Sequence, residues 1–490
     1  MRRTVILLLF RTAPRTALTR EQAILHAVEA YDSGVLQDTL ARRIAYPTES
    51  EVSTQAPAQH AYLSIELVPR LSALGFSCEV HPNPAGVDLP ILVARRIEAA
   101  ESPTVLMYGH GDVVRGNAAK WEAGRDPWRL RVEGDRWYGR GTADNKGQHS
   151  INLEALSRVI AARGGVLGFN TIWLIETGEE AGSPGLAAFC KTHRNLLAAD
   201  VFIASDGPRL NAARPTLFMG SRGAVNFELK VRARGRGYHS GNWGGLLSNP
   251  AIRLTHAISS LVDANGRIAV PGLRPPPIPT AVALALADLE VGGGKDDPDI
   301  NAWWGEPGLT SPEKVFGWNS LDVLTFGAGD PAKPVNAIPP EAVAWCQLRF
   351  VVGTDWRALQ EHVVEHLHQG GFDDVEVRIG MQAGATRLSP DTPWVRWAAA
   401  SLERTTGKRP ALLPNLGGSL PNDIFADQLG LPTLWVPHSY PACAQHAPNE
   451  HLLGSVAREG LAIMAGLFWD LGTQGADLLE QACCQSSTYA

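Results

Sequence analysis

The stretch Asn170-Thr-Ile-Trp-Leu-Ile-Glu176-Thr-Gly-Glu179-Glu180-Ala-Gly-Ser183 decides how the rest of the chain is read. Its apolar, partly β-branched first half has the composition of a buried strand. The run ends at a glycine and then presents two adjacent acids. Like charges this close raise each other's pKa, and a cation between them removes that penalty. A cation also divides the work, since one acid can hold it while the other moves a proton.

The flanking segments alternate between strand and helix patterns. Thr104 to Tyr108, Thr171 to Ile175 and Val201 to Ala204 read as strands, and Gln148 to Ala162 as a helix with apolar Ile151, Leu153, Leu156 and Ile160. Thr19-Arg-Glu-Gln22 is a capping box opening a helix to about Ser33, and a second helical pattern covers His60 to Leu74. This alternation predicts an α/β fold with a mostly parallel, helix-covered sheet. Near residue 215 the pattern changes. Phe227-Glu-Leu-Lys-Val-Arg-Ala-Arg234 alternates apolar and polar, as a strand with one wet face does. Strands at 342–351 and 374–379 flank a helix at 356–368, which predicts an inserted α+β (ferredoxin-like) unit with an antiparallel sheet. The Pro/Gly-rich stretch 271–333, carrying Trp303-Trp304, reads as mostly loop. The expected organisation is an N-terminal extension (1–19), a catalytic domain in two parts (20–214 and 390–474), an inserted lid or dimerisation domain (215–389) and a frayed tail (475–490).

The 490 residues, 44% hydrophobic and 19% charged, suit two or more globular domains. A net charge of −6 argues against nucleic acid or an anionic membrane as the main partner. Six scattered cysteines without a Cys-x-x-Cys pair fit reduced thiols and a cytoplasmic location. The apolar run Val5 to Phe10 is broken by Arg11, short of a signal-peptide core, and no stretch is long enough to span a bilayer.

Candidate ligands stand at the strand ends. In Gly109-His110-Gly-Asp112 the two polar side chains share a face, so one imidazole nitrogen can take a metal while the other is braced by Asp112. Asp144 precedes a helix and could bridge two cations; Asp206 follows a strand; His446 lies in a late loop. Taken singly, each is equally a turn acid, a helix cap or a surface histidine. Taken together, they fall at the carboxyl edge of an open α/β sheet, where ligand sites form. Nitrogen and oxygen donors suit Zn²⁺ best, with Mn²⁺ or Co²⁺ possible.

Five motifs, Gly109-His-Gly-Asp-Val-Val114, Gly139-Arg-Gly-Thr-Ala-Asp-Asn-Lys-Gly147, Thr177-Gly-Glu-Glu-Ala-Gly-Ser183, Ser205-Asp-Gly-Pro208 and His446-Ala-Pro-Asn-Glu450, occur in the order found in the M20 metallopeptidases. The chain resembles that family from about Arg20 to Leu471. The family holds carnosinase-like dipeptidases, carboxypeptidases and N-acyl-amino-acid deacylases. The resemblance implies two divalent metal ions, one on His110, Asp144 and Asp206, the other on Asp144, Glu180 and His446. It implies Glu179 as general base for hydrolysis of an amide bond by an activated water, and a cis peptide after Asp144. It implies a homodimer in which His239, within Gly237-Tyr-His-Ser-Gly-Asn-Trp243, reaches the partner's site. Asn336, Arg349 and the loop Gly417-Gly418-Ser419 match positions that hold a substrate's carboxylate. The reaction expected is that of a dipeptidase or carboxypeptidase. An N-acyl-amino-acid deacylase on the same scaffold is the alternative, and a non-catalytic binding protein is a more distant one. Asn145 departs from the pattern, standing where many relatives carry an aspartate.

Overall fold

A computed structural model describes residues 18–293 and 298–486. The expected extension therefore lies almost wholly outside the described residues. The first helix, Arg20–Asp32, opens on the predicted box: Thr19 Oγ1 accepts the Gln22 N–H and the Gln22 side chain accepts the Thr19 N–H.

The larger unit is built on an eight-stranded sheet. Across it the strands run Ser77–His81, Ile91–Arg96, Asn170–Glu176, Thr104–His110, Val201–Ala204, Thr433–Trp435, Thr216–Phe218 and Ala411–Leu413. The central strands pair in parallel: Thr104–His110 with both Asn170–Glu176 and Val201–Ala204, and the latter with Thr433–Trp435. Antiparallel strands lie at the Ser77 edge. All seven residues of Asn170–Glu176 are buried, so both faces of the sheet are covered. One apolar cluster joins helices Lys146–Ala162, Pro393–Thr406 and Gly454–Ser486 to one face; another, including Phe189, Phe202, Phe425 and Trp435, covers the other.

The second sheet is fully antiparallel, in the order Ser320–Gly327, Glu341–Phe350, Gly223–Arg232, Val375–Ala383. Helices Pro250–Leu261 and Leu359–Gln369 bury Leu254, Leu261, Val363 and Leu367 against it. A β-α-β-β-α-β chain order with this strand arrangement is the ferredoxin-like pattern.

One expectation is corrected and one is refined. The tail beyond residue 474 is helical through Ser486, because Leu471 and Leu478 continue a buried stripe and Leu479 and Ala482 pack beside it. The stretch 271–333 is largely loop, as expected, but not wholly so. It carries helices Thr280–Leu286 and Ser311–Phe316 and the strand Ser320–Gly327, and Val282, Leu286 and Phe316 anchor it to the larger unit's core. Cys190, Cys346 and Cys443 are buried thiols pushed up to about 12 by burial, which makes them inert packing. No described helix is long and apolar enough to cross a membrane.

Candidate metal centre and active site

The parallel strands deliver their carboxyl ends to one edge, and the candidate ligands stand there. His110 is the last residue of its strand, Asp206 lies two residues beyond Val201–Ala204, and Glu179 and Glu180 open a single 3₁₀ turn just after Asn170–Glu176. Asp144 ends the glycine-rich loop before helix Lys146–Ala162, and the Asp144–Asn145 peptide is cis.

Two groups of ligand atoms converge, with Asp144 common to both: His110, Asp144 and Asp206, and Asp144, Glu180 and His446. His110 Nε2 lies 2.9 Å from Asp144 Oδ1 and 3.5 Å from Asp206 Oδ2. On the other side His446 Nε2 is 3.0 Å from Asp144 Oδ2 and 3.1 Å from Glu180 Oε2. Donors about 2.0–2.1 Å from one tetrahedral ion stand about 3.3 Å apart, so these spacings fit a divalent cation. Asp206 Oδ2 supports the fit, since it is buried and has no hydrogen-bond partner. Its other oxygen accepts the Gly207 N–H at 2.6 Å.

The electrostatics point the same way. Burial, then repulsion from Asp206, Asp144 and Glu180, push the Glu179 carboxyl well up against the pull of His110. Burial and Asp144 push Glu180 up to about 7 against His446. Burial and Asp144 also raise Asp206. Asp144 alone is held low: burial opposes this, but hydrogen bonds from His110 and His446 outweigh it. Hydrogen bonds to Asp144 and Glu180 push His446 up to about 11. Positive charge is in short supply at this edge, and metal ions would provide it.

Asp112 ties the parts together. Its two carboxylate oxygens accept the N–H groups of Glu179 at 3.2 Å and Glu180 at 3.0 Å, and Oδ1 lies 3.4 Å from His110 Nδ1. That ring nitrogen is nearer still, at 3.1 Å, to the Asp112 carbonyl oxygen. Gly111 is required for space: a Cβ there would meet the Tyr62 ring at 2.7 Å.

Several contributors went unread in the sequence. Glu450 is buried; its Oε1 accepts the N–H groups of Gly141, Ala143 and Asp144, and its Oε2 accepts Arg140 Nη1 at 2.7 Å. It thereby locks the Asp144 loop to the His446 loop, and its position inside the His446–Glu450 motif was the available signal. Gln445 Nε2 donates to Asp144 Oδ2. Asn145 donates its amide to the Ser205 carbonyl at 2.9 Å and faces His149 Nδ1 through Oδ1, so an aspartate there would lose a donor.

Next to the centre lies a cavity of about 580 Å³ lined by His446, Gln445, Arg349 and Gly417 to Ser419. Arg349 Nη1 donates to Ser419 Oγ at 3.0 Å, and Ser419 Oγ donates to the Arg222 carbonyl at 2.8 Å. Arg222, buried and also unread, donates Nε to the Gly417 carbonyl. His239 and Asn336 stand elsewhere: His239 lies in the ribbon pairing Tyr238–His239 with Ala337–Ile338, and Asn336, just before that ribbon's second strand, accepts the Ser240 N–H through its carbonyl at 2.9 Å. There the exposed His239 ring accepts the Gly241 N–H. A larger cleft of about 1080 Å³, bounded by Arg387, Trp394, Asp427 and Leu479, holds none of these groups.

Comparison with known proteins agrees with this geometry. The chain is 35% identical over 402 residues to a beta-Ala-His dipeptidase of Mus musculus, covering 79% of this chain and 80% of that one. It is 29% identical over 367 residues to a cysteinylglycine-S-conjugate dipeptidase of Corynebacterium striatum, covering 72% and 76%. The fold matches the crystal structure of human carnosine dipeptidase 1 with a TM-score of 0.76 at 22% identity, over 94% of this chain and all of that one. The profile of peptidase family M20/M25/M40 matches residues 106–470, a span that takes in all five motifs from the His110 strand to the last helix, and the chain belongs to that family of metallopeptidases.

Proposed function

We propose that this protein is a di-metal dipeptidase that cleaves an amide bond next to a free carboxylate, with Glu179 as general base. The observation that carries the reading is the convergence of His110, Asp144, Glu180, Asp206 and His446 beside a cavity that also holds Arg349 and Ser419. The relatives covering most of the chain are dipeptidases, which favours that branch of the chemistry.

His110, Asp144, Glu180, Asp206 and His446 would hold two divalent ions, zinc on this donor set with manganese or cobalt as alternatives, which would supply the positive charge to acidify a water and polarise a carbonyl. Glu179 takes a proton from the attacking water and returns it to the leaving nitrogen. Asp112 fixes the turn that presents Glu179. Arg349, Ser419 and the Gly417-Gly418 amides hold the substrate carboxylate, the guanidinium through paired hydrogen bonds.

His239 and Asn336 act from a second copy of the chain, with His239 of the partner subunit donating to the developing oxyanion. Exposed Trp243, Leu246 and Val335 near that ribbon, and Val323, Leu324 and Phe326 on the sheet's edge strand, support such an interface. Mixing His239→Ala and Glu179→Gln subunits then restores activity; no recovery in verified heterodimers removes the shared site.

The direct test is metal analysis together with mass-spectrometric readout of a panel of dipeptides and N-acyl amino acids. Two metals per chain and dipeptide cleavage are expected. Cleavage of N-acyl amino acids alone would transfer the reading to a deacylase, and no cleavage with full metal would end it.

A further inference from the structure

The dipeptidase reading leaves open which residue the site accepts beside the free carboxylate, and the following rests on that reading. We infer that the substrate's C-terminal residue carries a bulky apolar side chain of the leucine or phenylalanine class.

His446, a candidate metal ligand, and Arg349, the candidate carboxylate cation, both line the same cavity of about 580 Å³. A residue whose amide lies at the metals and whose carboxylate reaches Arg349 must therefore occupy that cavity. Its walls come from two sources. Leu413, Leu416 and Leu420 flank the Gly417–Ser419 loop in sequence and belong to the larger unit's apolar core. Phe316, Val291 and Ile300 come from the stretch 271–333, with Phe316 set by the helix that Thr310 and Glu313 cap. The side chain attached to the bound carboxylate thus meets hydrocarbon on both sides.

The charges in the wall sharpen the choice. Among the described residues lining the cavity there is no aspartate or glutamate. Arg209 is already paired with Glu459, which leaves Arg349, among the described lining residues, as the arginine with no carboxylate in ion-pair contact. A lysine or arginine at the C-terminus would lose water, meet no carboxylate among the described lining residues and sit beside a like charge. A glycine would leave the apolar wall uncovered and forgo the burial of its carbon atoms. Leucine or phenylalanine fills the space without either cost.

The test compares kcat/KM of the metal-loaded protein for Ala-Leu, Ala-Phe, Ala-Gly and Ala-Lys, which share an N-terminal residue. Ala-Leu and Ala-Phe are expected to exceed Ala-Gly by about 10–200-fold, the discrimination an apolar pocket gives a small change in hydrocarbon, and to exceed Ala-Lys by at least as much. Ile300 is 51% exposed, so Ile300→Glu leaves the core intact. It should narrow the Ala-Leu to Ala-Lys ratio by about fivefold, the scale of one partly exposed charge pair. Calorimetric binding of Ala-Leu and Ala-Gly to the Glu179→Gln protein should follow the same order without any turnover. Ala-Gly or Ala-Lys cleaved as well as Ala-Leu would overturn this inference and leave the dipeptidase reading standing. Failure to cleave any of the four while other dipeptides are cleaved would overturn this inference alone, and failure across the whole dipeptide panel would overturn both.

Discussion

Two regions of the molecule bury carboxylates, and they do so in opposite ways. Asp470, on the last helix with its side chain 5% exposed, accepts from Arg20 Nε and Nη2 at 2.8 and 2.9 Å, from Ser401 Oγ at 2.6 Å and from Arg404 Nη2 at 2.8 Å. Burial pushes its pKa up, but the hydrogen bonds from Arg20, Ser401 and Arg404 outweigh it and hold the carboxyl below its usual range. The candidate metal centre gathers Asp112, Asp144, Glu179, Glu180 and Asp206 around two imidazoles, and burial there leaves Glu179, Glu180 and Asp206 raised. Where a buried acid serves only the fold, the chain supplies its counter-charge. Where a ligand brings the counter-charge, the chain leaves the acids unmatched, and the cost is borne by the site.

The largest effect should come from the unmatched region. Glu179→Gln removes the proposed proton carrier while leaving the five candidate ligands in place. Turnover should fall by about 10²–10⁴ with two metals per chain retained, read by dipeptide hydrolysis beside elemental analysis. Metal loss in step with the rate would break the comparison, because Glu179 would then belong to the cation balance and not to proton transfer.

The matched region should answer in stability alone. Asp470→Asn leaves Arg20 and Arg404 without a carboxylate partner. It should lower the unfolding free energy by about 2–3 kcal/mol, less than the ~3–5 kcal/mol of a fully buried pair because Arg404 reaches solvent, with turnover unchanged. The folded pKa of Asp470 is depressed, so its contribution is complete above the ordinary aspartate value of about 3.9 and is lost as pH falls through the lower folded value. Urea titrations should therefore show a constant gap between wild type and variant from neutrality down to about pH 4, closing below it. The two regions share no partner, so a chelator should destabilise both proteins by the same increment. An unequal increment would mean that the regions are coupled.

The candidate metal ligands were legible because they sit in short motifs: His110, Glu180 and Asp206 at or just past strands whose apolar runs announce them, Asp144 before a helix and His446 in a late loop. The side chains that hold those motifs together were not. Glu450 acts on Gly141, Ala143 and Asp144, about 300 residues away in sequence, and a single acid in a loop carries no mark of so distant a partner. Asn145 was visible as a departure, but its reason, an amide donated to Ser205, depends on the neighbouring strand. The last helix runs on past residue 474 even though Gly472 and Gly475 carry low helix propensity. In the fold Gly472 is the residue that lets the helix pass Leu167, where a Cβ would meet the carbonyl oxygen at 2.0 Å. The elements within 271–333 were hidden by proline and glycine, although Thr310 and Glu313 offered a capping box.

Asp112 sharpens the contrast most finely, because it lies in the unmatched region yet has its own donors. Its carboxylate oxygens accept two N–H groups from the turn carrying Glu179 and Glu180, and it lies beside His110 Nδ1. Asp112→Asn keeps one acceptor oxygen and turns an amide NH₂ towards the other N–H, so the turn loosens and the His110 ring loses a nearby negative charge. Metal affinity should fall by about 10–100-fold, the usual range for a residue that orients ligands without binding the ion. Chelator competition would read it, and the loss in turnover at saturating metal should be smaller than for Glu179→Gln. Unchanged affinity would confine Asp112 to shaping the turn, and would place it with Asp470 among the acids that serve the fold.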